Sequence, residues 1–291
     1  MDRKTRKKKG GKKLSLAIHT VFILRENILF LEEWIKYHIK MGFDKIYLYD
    51  NTGSIGSEGS DNKFNKYDIN FSKLVTSAHT KQRFKSIMNK YKDYLVHIKW
   101  QPKNNKGKII YGQTQSISDY IVNYGDDNDW TAFIDIDEYL YIKNKSIRNF
   151  ITDKDNNNFT KIVIQQKKFK DHFCNLEKSV FEISDSLKHD KAFIGWAPKN
   201  ICKNIHTCVK QNKSIHDVCM KKKKYYNCDI NELRFNHYNI NKKQIEWMEY
   251  YFKKSDFEEE VDKSMRKYIS LKSVDTNYNK IHSKKIKGIL C

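Results

Sequence analysis

The sequence predicts an α/β fold: a doubly wound, largely parallel sheet flanked by helices, followed by an irregular α+β half. Three observations predict it. Apolar strand-like runs alternate with stretches of helical period from Leu16 to Leu140. Those runs end on polar residues, Asp50 and Asn51 after the second, and Asp135 and Asp137 after the run that opens at Trp130. Beyond the polar stretch Asp153 to Asn158 the alternation gives way to short strand candidates joined by irregular polar sequence.

The elements follow in order. Leu16 to Leu24 reads as a first buried strand. Ile28, Leu31, Ile35 and Ile39 then fall at i, i+3, i+7 and i+11, one apolar helical stripe that Gly42 terminates. Lys45 to Tyr49 makes a second strand, and strand–helix–strand with a polar loop behind it is a βαβ unit of nucleotide-binding type. No GxGxxG follows the first strand, which argues against a dinucleotide fold of the usual kind. Thr76 to Tyr91 and Tyr111 to Tyr124 read as helices around a strand at Tyr94 to Trp100. Lys161 to Gln166, Ser179 to Ile183, Lys199 to Lys203 and Glu232 to Phe235 are short strand candidates, with helical period returning only at Lys242 to Phe252. The expected organisation is a basic arm over residues 1–13, a main domain over 14–255 divided near 140, and a peripheral extension over 256–291.

The stretch WTAFIDIDEYL, Trp130 to Leu140, concentrates the chemistry. Ala132 to Ile136 reads as a strand, which would send Asp135 and Asp137 to one face at its carboxyl end. Carboxylates that close repel unless something positive lies between them, and Mg2+ or Mn2+ takes such oxygens together with substrate phosphates. A solvated acidic turn is the bland alternative. Ligands of open α/β sheets bind beyond the carboxyl ends of the strands, where Asp50, Asn51, Asp135 and Asp137 all fall, and this convergence favours a metal.

A net charge of +21 implies polyanionic company: phosphorylated substrates, nucleic acid or an acidic membrane surface. A lysine- and asparagine-rich codon bias would give the same balance. The first thirteen residues hold eight Lys or Arg against one Asp, a basic arm that reads equally as a nuclear address, a phosphate-seeking tail, a contact with an anionic membrane or a stretch with no specific role. No RNP motif, zinc finger or helix-turn-helix signal accompanies the charge, so no specific nucleic-acid partner is expected. No run approaches the roughly 18 apolar residues that span a bilayer, and no apolar signal core opens the chain, so the expected location is cytoplasmic. The six cysteines form no CxxC pair. Cys202, His206, Cys208 and His216 are conceivable zinc ligands at a spacing that matches no standard site.

REN at Arg25 to Asn27, LEEW at Leu31 to Trp34, His38, Gly42, YLYDN at Tyr47 to Asn51, WTAFIDIDEYL and a late NHY at Asn236 to Tyr238 occur in fixed order. Together they resemble glycosyltransferase family 92 over roughly Leu16 to Tyr251, most specifically in the first two thirds. Where that family carries a tryptophan- and glycine-containing segment, this chain reads QQKKFKDHF, and its usual KNE is here REN. The resemblance implies a GT-A fold and an inverting transfer of a sugar from a nucleotide-sugar, most readily a UDP-sugar, to a glycan or glycoconjugate hydroxyl, with Mn2+ or Mg2+ as cofactor.

The resemblance also implies roles for single residues. Asp137 would ligate the metal, Asp135 would hold the donor's ribose or sugar and touch the metal through water, and His237 would complete the metal site or else be a packed histidine. Asp50 and Asn51 match the position that reads base or ribose. Arg25 would face the uracil edge or the diphosphate, or else pair with Glu26, Glu32 or Asp50; Asn27 belongs to the same opening. Lys199 would neutralise diphosphate, and Gln113 would support the donor pocket or cap its helix. Asp171 is the best-placed carboxylate for the general base of an inverting transfer. Glu138 reads as a hydrogen-bonding support, and Trp34 and Trp130 as core anchors. Two other readings compete: a metal-dependent nucleotidyl or phosphoryl transferase, which would want more carboxylates or a phosphate-cradling glycine loop, and a basic nucleic-acid binder.

Overall fold

The computed structural model describes residues 13–54, 78–170, 178–187, 197–208, 212, 214–240 and 259–274. Strand β1 (Leu16–Phe22) leads through a short helix α1 (Leu24–Asn27) into α2 (Leu31–Met41) and β2 (Lys45–Asp50). Helix α3 (Ala78–Lys90), β3 (Leu95–Lys99), α4 (Gln113–Asn123) and β4 (Trp130–Phe133) continue the alternation. Then come β5 (Glu138–Ile142), α5 (Ile147–Asn156), β6 (Lys161–Lys170), β7 (Asp185–Leu187), β8 (Lys199–Lys203), β9 (Tyr225–Asn227), β10 (Leu233–Ile240) and β11 (Glu259–Val261).

Strands β3, β2, β1 and β4 are parallel neighbours in that order. The sheet then turns mixed, because β8 enters antiparallel between β4 and β6. On the far side β10 pairs antiparallel with β5 and parallel with β6. The result is the α/β class expected, a curled mixed sheet flanked by helices, with its second half completing the same sheet. Strand β1 is buried on both faces, as a central parallel strand should be. Leu16, Ile18 and Phe22 join the core that includes Trp34 and Ile35 of α2, whereas Ala17 and Val21 join the one that includes Ile117 and Tyr120 of α4. Trp34 and Trp130 are fully buried, as expected of anchors. Each also donates its indole N–H, Trp34 to the Glu138 carbonyl at 2.8 Å and Trp130 to the Asp155 carboxylate at 2.9 Å.

Four local expectations change. The single stripe from Ile28 to Ile39 is interrupted at residues 28–30, where the chain leaves α1 and re-enters α2; Gly42 ends α2 as expected, at a φ of 112° that favours glycine. Ser179 to Ile183 is no strand but a 3-10 turn, whose Ser179 and Glu182 form a reciprocal capping box. Helix α5 went unread because its apolar residues Ile147, Phe150 and Ile151 sit among polar ones; Ser146 caps it by accepting the Asn149 N–H. Strand β4 stops at Phe133, so Asp135 and Asp137 do not share a strand face. Residues 135–138 form a tight turn instead: the Glu138 N–H donates to the Asp135 carbonyl at 3.1 Å, and the Asp135 N–H donates to the Glu138 carboxylate at 2.8 Å. The alternation Ile134, Ile136 mimicked a strand because both residues are buried, one just before that turn and one within it.

Lys242 to Phe252, expected as helix, lies outside the described residues. The stretch expected as a peripheral extension contributes β11 and a 3-10 helix, Ser264–Leu271, whose Met265 is buried against the Tyr37 hydroxyl. Arg234 of β10 ties the same segment to the sheet through Asp262 at 2.8 Å.

Candidate active site

The turn between β4 and β5 holds two distinct carboxylate environments. Asp135 is gripped from both sides: Gln113, first residue of α4, donates its amide to one oxygen at 2.6 Å, and the Lys199 ammonium donates to the other at 2.6 Å. Lys199 opens β8 with only 3% of its side chain exposed, and it stands 3.4 Å from Glu138 as well. Burial would weaken its charge, but Asp135 and Glu138 prevail and hold it above the ordinary lysine value. The three side chains expected around the donor, Gln113, Asp135 and Lys199, are therefore assembled, as one hydrogen-bonded unit. A narrow cavity beside them, also lined by His19, Val21 and Ile215, has room for about one water molecule.

Asp137 faces the other way, toward β10. His237 directs Nε2 at the Asp137 carboxylate, 3.4 Å away, and its Nδ1 lies 3.3 Å from the Gln166 side-chain oxygen. Both partners offer oxygens that accept, so the neutral ring gives its one proton to Gln166 or to Asp137, and in the first tautomer Nε2 presents a lone pair to the carboxylate. Burial lowers the His237 pKa and favours the neutral ring, against the pull of Asp137. Burial works against ionised Asp137, yet His237 and Lys199 hold its carboxyl below the usual range. A carboxylate and an imidazole nitrogen, both of a kind that can ligate a metal, thus face one another. The backbone fixes them, since the Tyr238 N–H donates to the Asp137 carbonyl at 3.1 Å.

Strand register builds the surroundings. His237 pairs with Glu138 on β5 and with Lys168 on β6, which sets the three side chains in a row on one face of the sheet. Glu138 is 1% exposed. Burial, reinforced by Asp135 and Asp137 and opposed by Lys199, raises its pKa to about 8. Burial likewise brings Lys168 down to about 8, with Glu138 and Asp137 resisting. A carboxyl raised in this way favours its protonated form in the folded state. It adds stability below its unfolded value near 4.5, and that stability is lost as pH rises toward 8. Glu138→Gln should therefore flatten the decline of melting temperature between about pH 5 and 9; calorimetry showing parallel pH courses for the two proteins would refute this.

The other expected residues make contacts of their own. Asp50, at the end of β2, accepts the Thr52 N–H at 3.0 Å and the Thr52 hydroxyl, and its second oxygen meets His97 at 2.9 Å. Burial would raise its pKa, but His97 and Thr52 hold it low. Asn51 is fully buried and donates to the carbonyls of Trp100 and Ile110 at 3.0 and 3.1 Å, pinning the loop before α4. Asn27 closes the turn after β1 by accepting the Ile23 N–H at 2.8 Å. Asp171 and the side chain of Arg25 lie outside the described residues. Among the described residues no three His, Cys, Asp or Glu side chains converge as a metal-binding group. Asp135 therefore does not join Asp137 and His237 in one cluster, and neither does the set Cys202, His206, Cys208 and His216, whose Cys202 is buried in the core around β1. Sequence reasoning passed over Gln166 and Lys168. Their only signal is alternation along β6, where they are buried while Gln165 and Lys167 are somewhat less so.

Fold and site together define an α/β enzyme with a charged, preorganised cluster around the β4–β5 turn. The chain belongs to glycosyltransferase family 92, whose profile matches residues 12–283, and it is a glycosyltransferase. The family implies a nucleotide-sugar donor and a glycan acceptor in general. No curated protein matches the sequence. Among solved structures it is similar to a UDP-glucose pyrophosphorylase from Acinetobacter baumanii, at 10% identity and a TM-score of 0.32, covering 94% of this chain and 99% of that one. Among the described residues no helix is long and apolar enough to cross a membrane.

Proposed function

We propose that this chain transfers a sugar from a UDP-sugar to a hydroxyl with inversion, assisted by Mn2+ or Mg2+ held by Asp137 and His237. The observation that carries the reading is the Asp137 carboxylate facing the His237 imidazole nitrogen. Two ligands of one octahedral ion with bonds near 2.1 Å stand about 3 Å apart when adjacent, and the Asp137–His237 separation is 3.4 Å. The Gln166 bond to Nδ1 is the outer partner that a metal-bound histidine ordinarily has. Two protein ligands suffice where substrate phosphates supply the rest. When bound, the ion neutralises the charge that develops on the diphosphate leaving group.

The protein's own residues do the remainder. Lys199 places a second positive charge beside the turn, and Gln113 with Lys199 fixes Asp135 for a donor ribose or sugar hydroxyl. Glu138 holds the turn closed through the Asp135 N–H. Each is in place before substrate arrives, which spares the reaction that reorganisation. Thermal-shift titration with UDP, GDP and CDP, with and without Mn2+, tests the reading. UDP should stabilise the protein most and should need Mn2+ to do so, and proton NMR of the first product should show the anomeric configuration inverted. Absence of nucleotide binding under either condition would abandon the reading, and retention of configuration would remove the inverting step.

A further inference from the structure

An inverting transfer needs a group that takes the proton of the attacking hydroxyl, and we propose that His216 is that general base; the assignment rests on the transferase reading above. His216 sits on a tight turn after β8, half-buried, beside the cluster around Asp135. Its mounting is rigid. Its N–H donates to the Ser214 hydroxyl at 3.0 Å, its carbonyl accepts the Asn200 amide at 3.0 Å, and Ser214 and Asp217 bridge across the turn. Asn200 is itself fixed in β8, paired with Phe133 of β4, so the turn is tied to the strand that leads into Asp135. The preceding residue, Ile215, lines the cavity shared with Gln113, Asp135 and Lys199.

The ring is held in the tautomer a base requires. Nδ1 lies 3.2 Å from the Pro198 carbonyl, which can only accept, so Nδ1 carries the proton and Nε2 offers its lone pair. No described residue occupies Nε2. The other described bases near the turn are committed. Asp135 is bonded to Gln113 and Lys199, Glu138 is enclosed against the Asp135 N–H, and His237 is aligned between Gln166 and Asp137. His19 is 4% exposed among Tyr49, Tyr120 and Phe133. The titratable groups facing His216 are Lys199 from β8, Asp135 from the β4–β5 turn and His237 from β10; burial first and then Lys199 lower its pKa, which keeps the ring neutral near pH 7.

In the step, the acceptor O–H bond breaks as its proton passes to Nε2, and the oxygen bonds to the anomeric carbon. The bond from that carbon to the diphosphate oxygen breaks, and its electron pair leaves with the nucleoside diphosphate. The imidazolium afterwards returns its proton to water.

The test compares wild type, His216→Gln and His216→Ala in UDP release from a UDP-hexose with water or a glycan as acceptor, alongside UDP binding by calorimetry. Loss of a general base costs about 10²–10⁴ in kcat, so both variants should fall by that factor with UDP affinity and donor KM unchanged. The acidic limb of the wild-type pH profile should disappear, and added imidazole should restore turnover to His216→Ala, which a merely structural role would not allow. Normal UDP binding with undiminished turnover in His216→Gln overturns the base, as does failure of imidazole to rescue a folded His216→Ala. A wild type that neither binds nor releases UDP overturns the transferase reading, a different result.

Discussion

Replacing Asp137 by alanine should abolish the manganese-dependent part of UDP affinity while leaving the fold intact. In wild type, the ratio of UDP affinities with and without Mn2+ measures how much of the binding passes through the ion. Losing an outer partner of a metal ligand already costs 10–100-fold in metal affinity, so removing Asp137, a direct ligand on this reading, should cost more than about 100-fold. The fold should survive because the turn is closed by backbone atoms: the Asp137 carbonyl still accepts the Tyr238 N–H, and the Glu138 N–H still reaches the Asp135 carbonyl. His237→Ala should show the same loss, since the two side chains face each other across 3.4 Å. The pH course follows from the directions of the shifts. His237 titrates below its ordinary 6.5 and Asp137 below 3.8, so protons compete little with the ion at pH 7 and above, and the Mn2+ effect should weaken only in acid. Calorimetric titrations of UDP into both variants at fixed Mn2+ decide it. An unchanged Mn2+ ratio in Asp137→Ala would mean that the ion, if bound, sits elsewhere.

The half of this site that was legible in sequence was legible for a physical reason. Asp135, Asp137 and His237 carry chemistry that few other positions could hide, and the polar stop after the apolar run that forms β4 marks where the first two fall. Lys199 matched an exactly bounded strand and proved to sit at its first position, buried, which is unusual enough for a lysine to signal a partner. What was not legible depends on pairing across distance. Nothing local says that Lys168 and His237 will lie in register, or that β10 will reach back to pair with β5, more than ninety residues earlier. Sequence also misassigned the geometry of the acidic pair. A period of two among Ile134, Asp135, Ile136 and Asp137 is common to a strand and to a buried turn, and only the Asp135–Glu138 bonds distinguish them. Asp50 and Asn51 stand at the end of β2 and Asn27 at the end of α1, positions that also need fasteners for the loops beside them, and their hydrogen bonds include that work.

Lys199→Met should be the most destabilising single change in the site. Methionine has similar length and no charge, so the substitution isolates the ammonium. It would leave Asp135 without the partner now 2.6 Å away and Glu138, whose side chain is 2% exposed, without the cation at 3.4 Å. Breaking a buried pair on one side costs about 3–5 kcal/mol, because the remaining charge stays desolvated. At about 2–4 °C per kcal/mol for a domain of this size, the melting temperature should fall by roughly 6–20 °C. The loss should not be additive. Adding Glu138→Gln removes a carboxyl that would otherwise ionise beside Asp135, so above about pH 8 the double variant should melt above Lys199→Met, with a coupling energy of about 0.5–3 kcal/mol between the two sites. A drop of less than about 2 °C in Lys199→Met would mean that solvent reaches Asp135 well enough to replace the lysine. The unit of Gln113, Asp135 and Lys199 would then be a binding surface assembled by substrate. The larger loss would make it a rigid, preformed one, in which the Lys199 ammonium also holds the β4–β5 turn in shape.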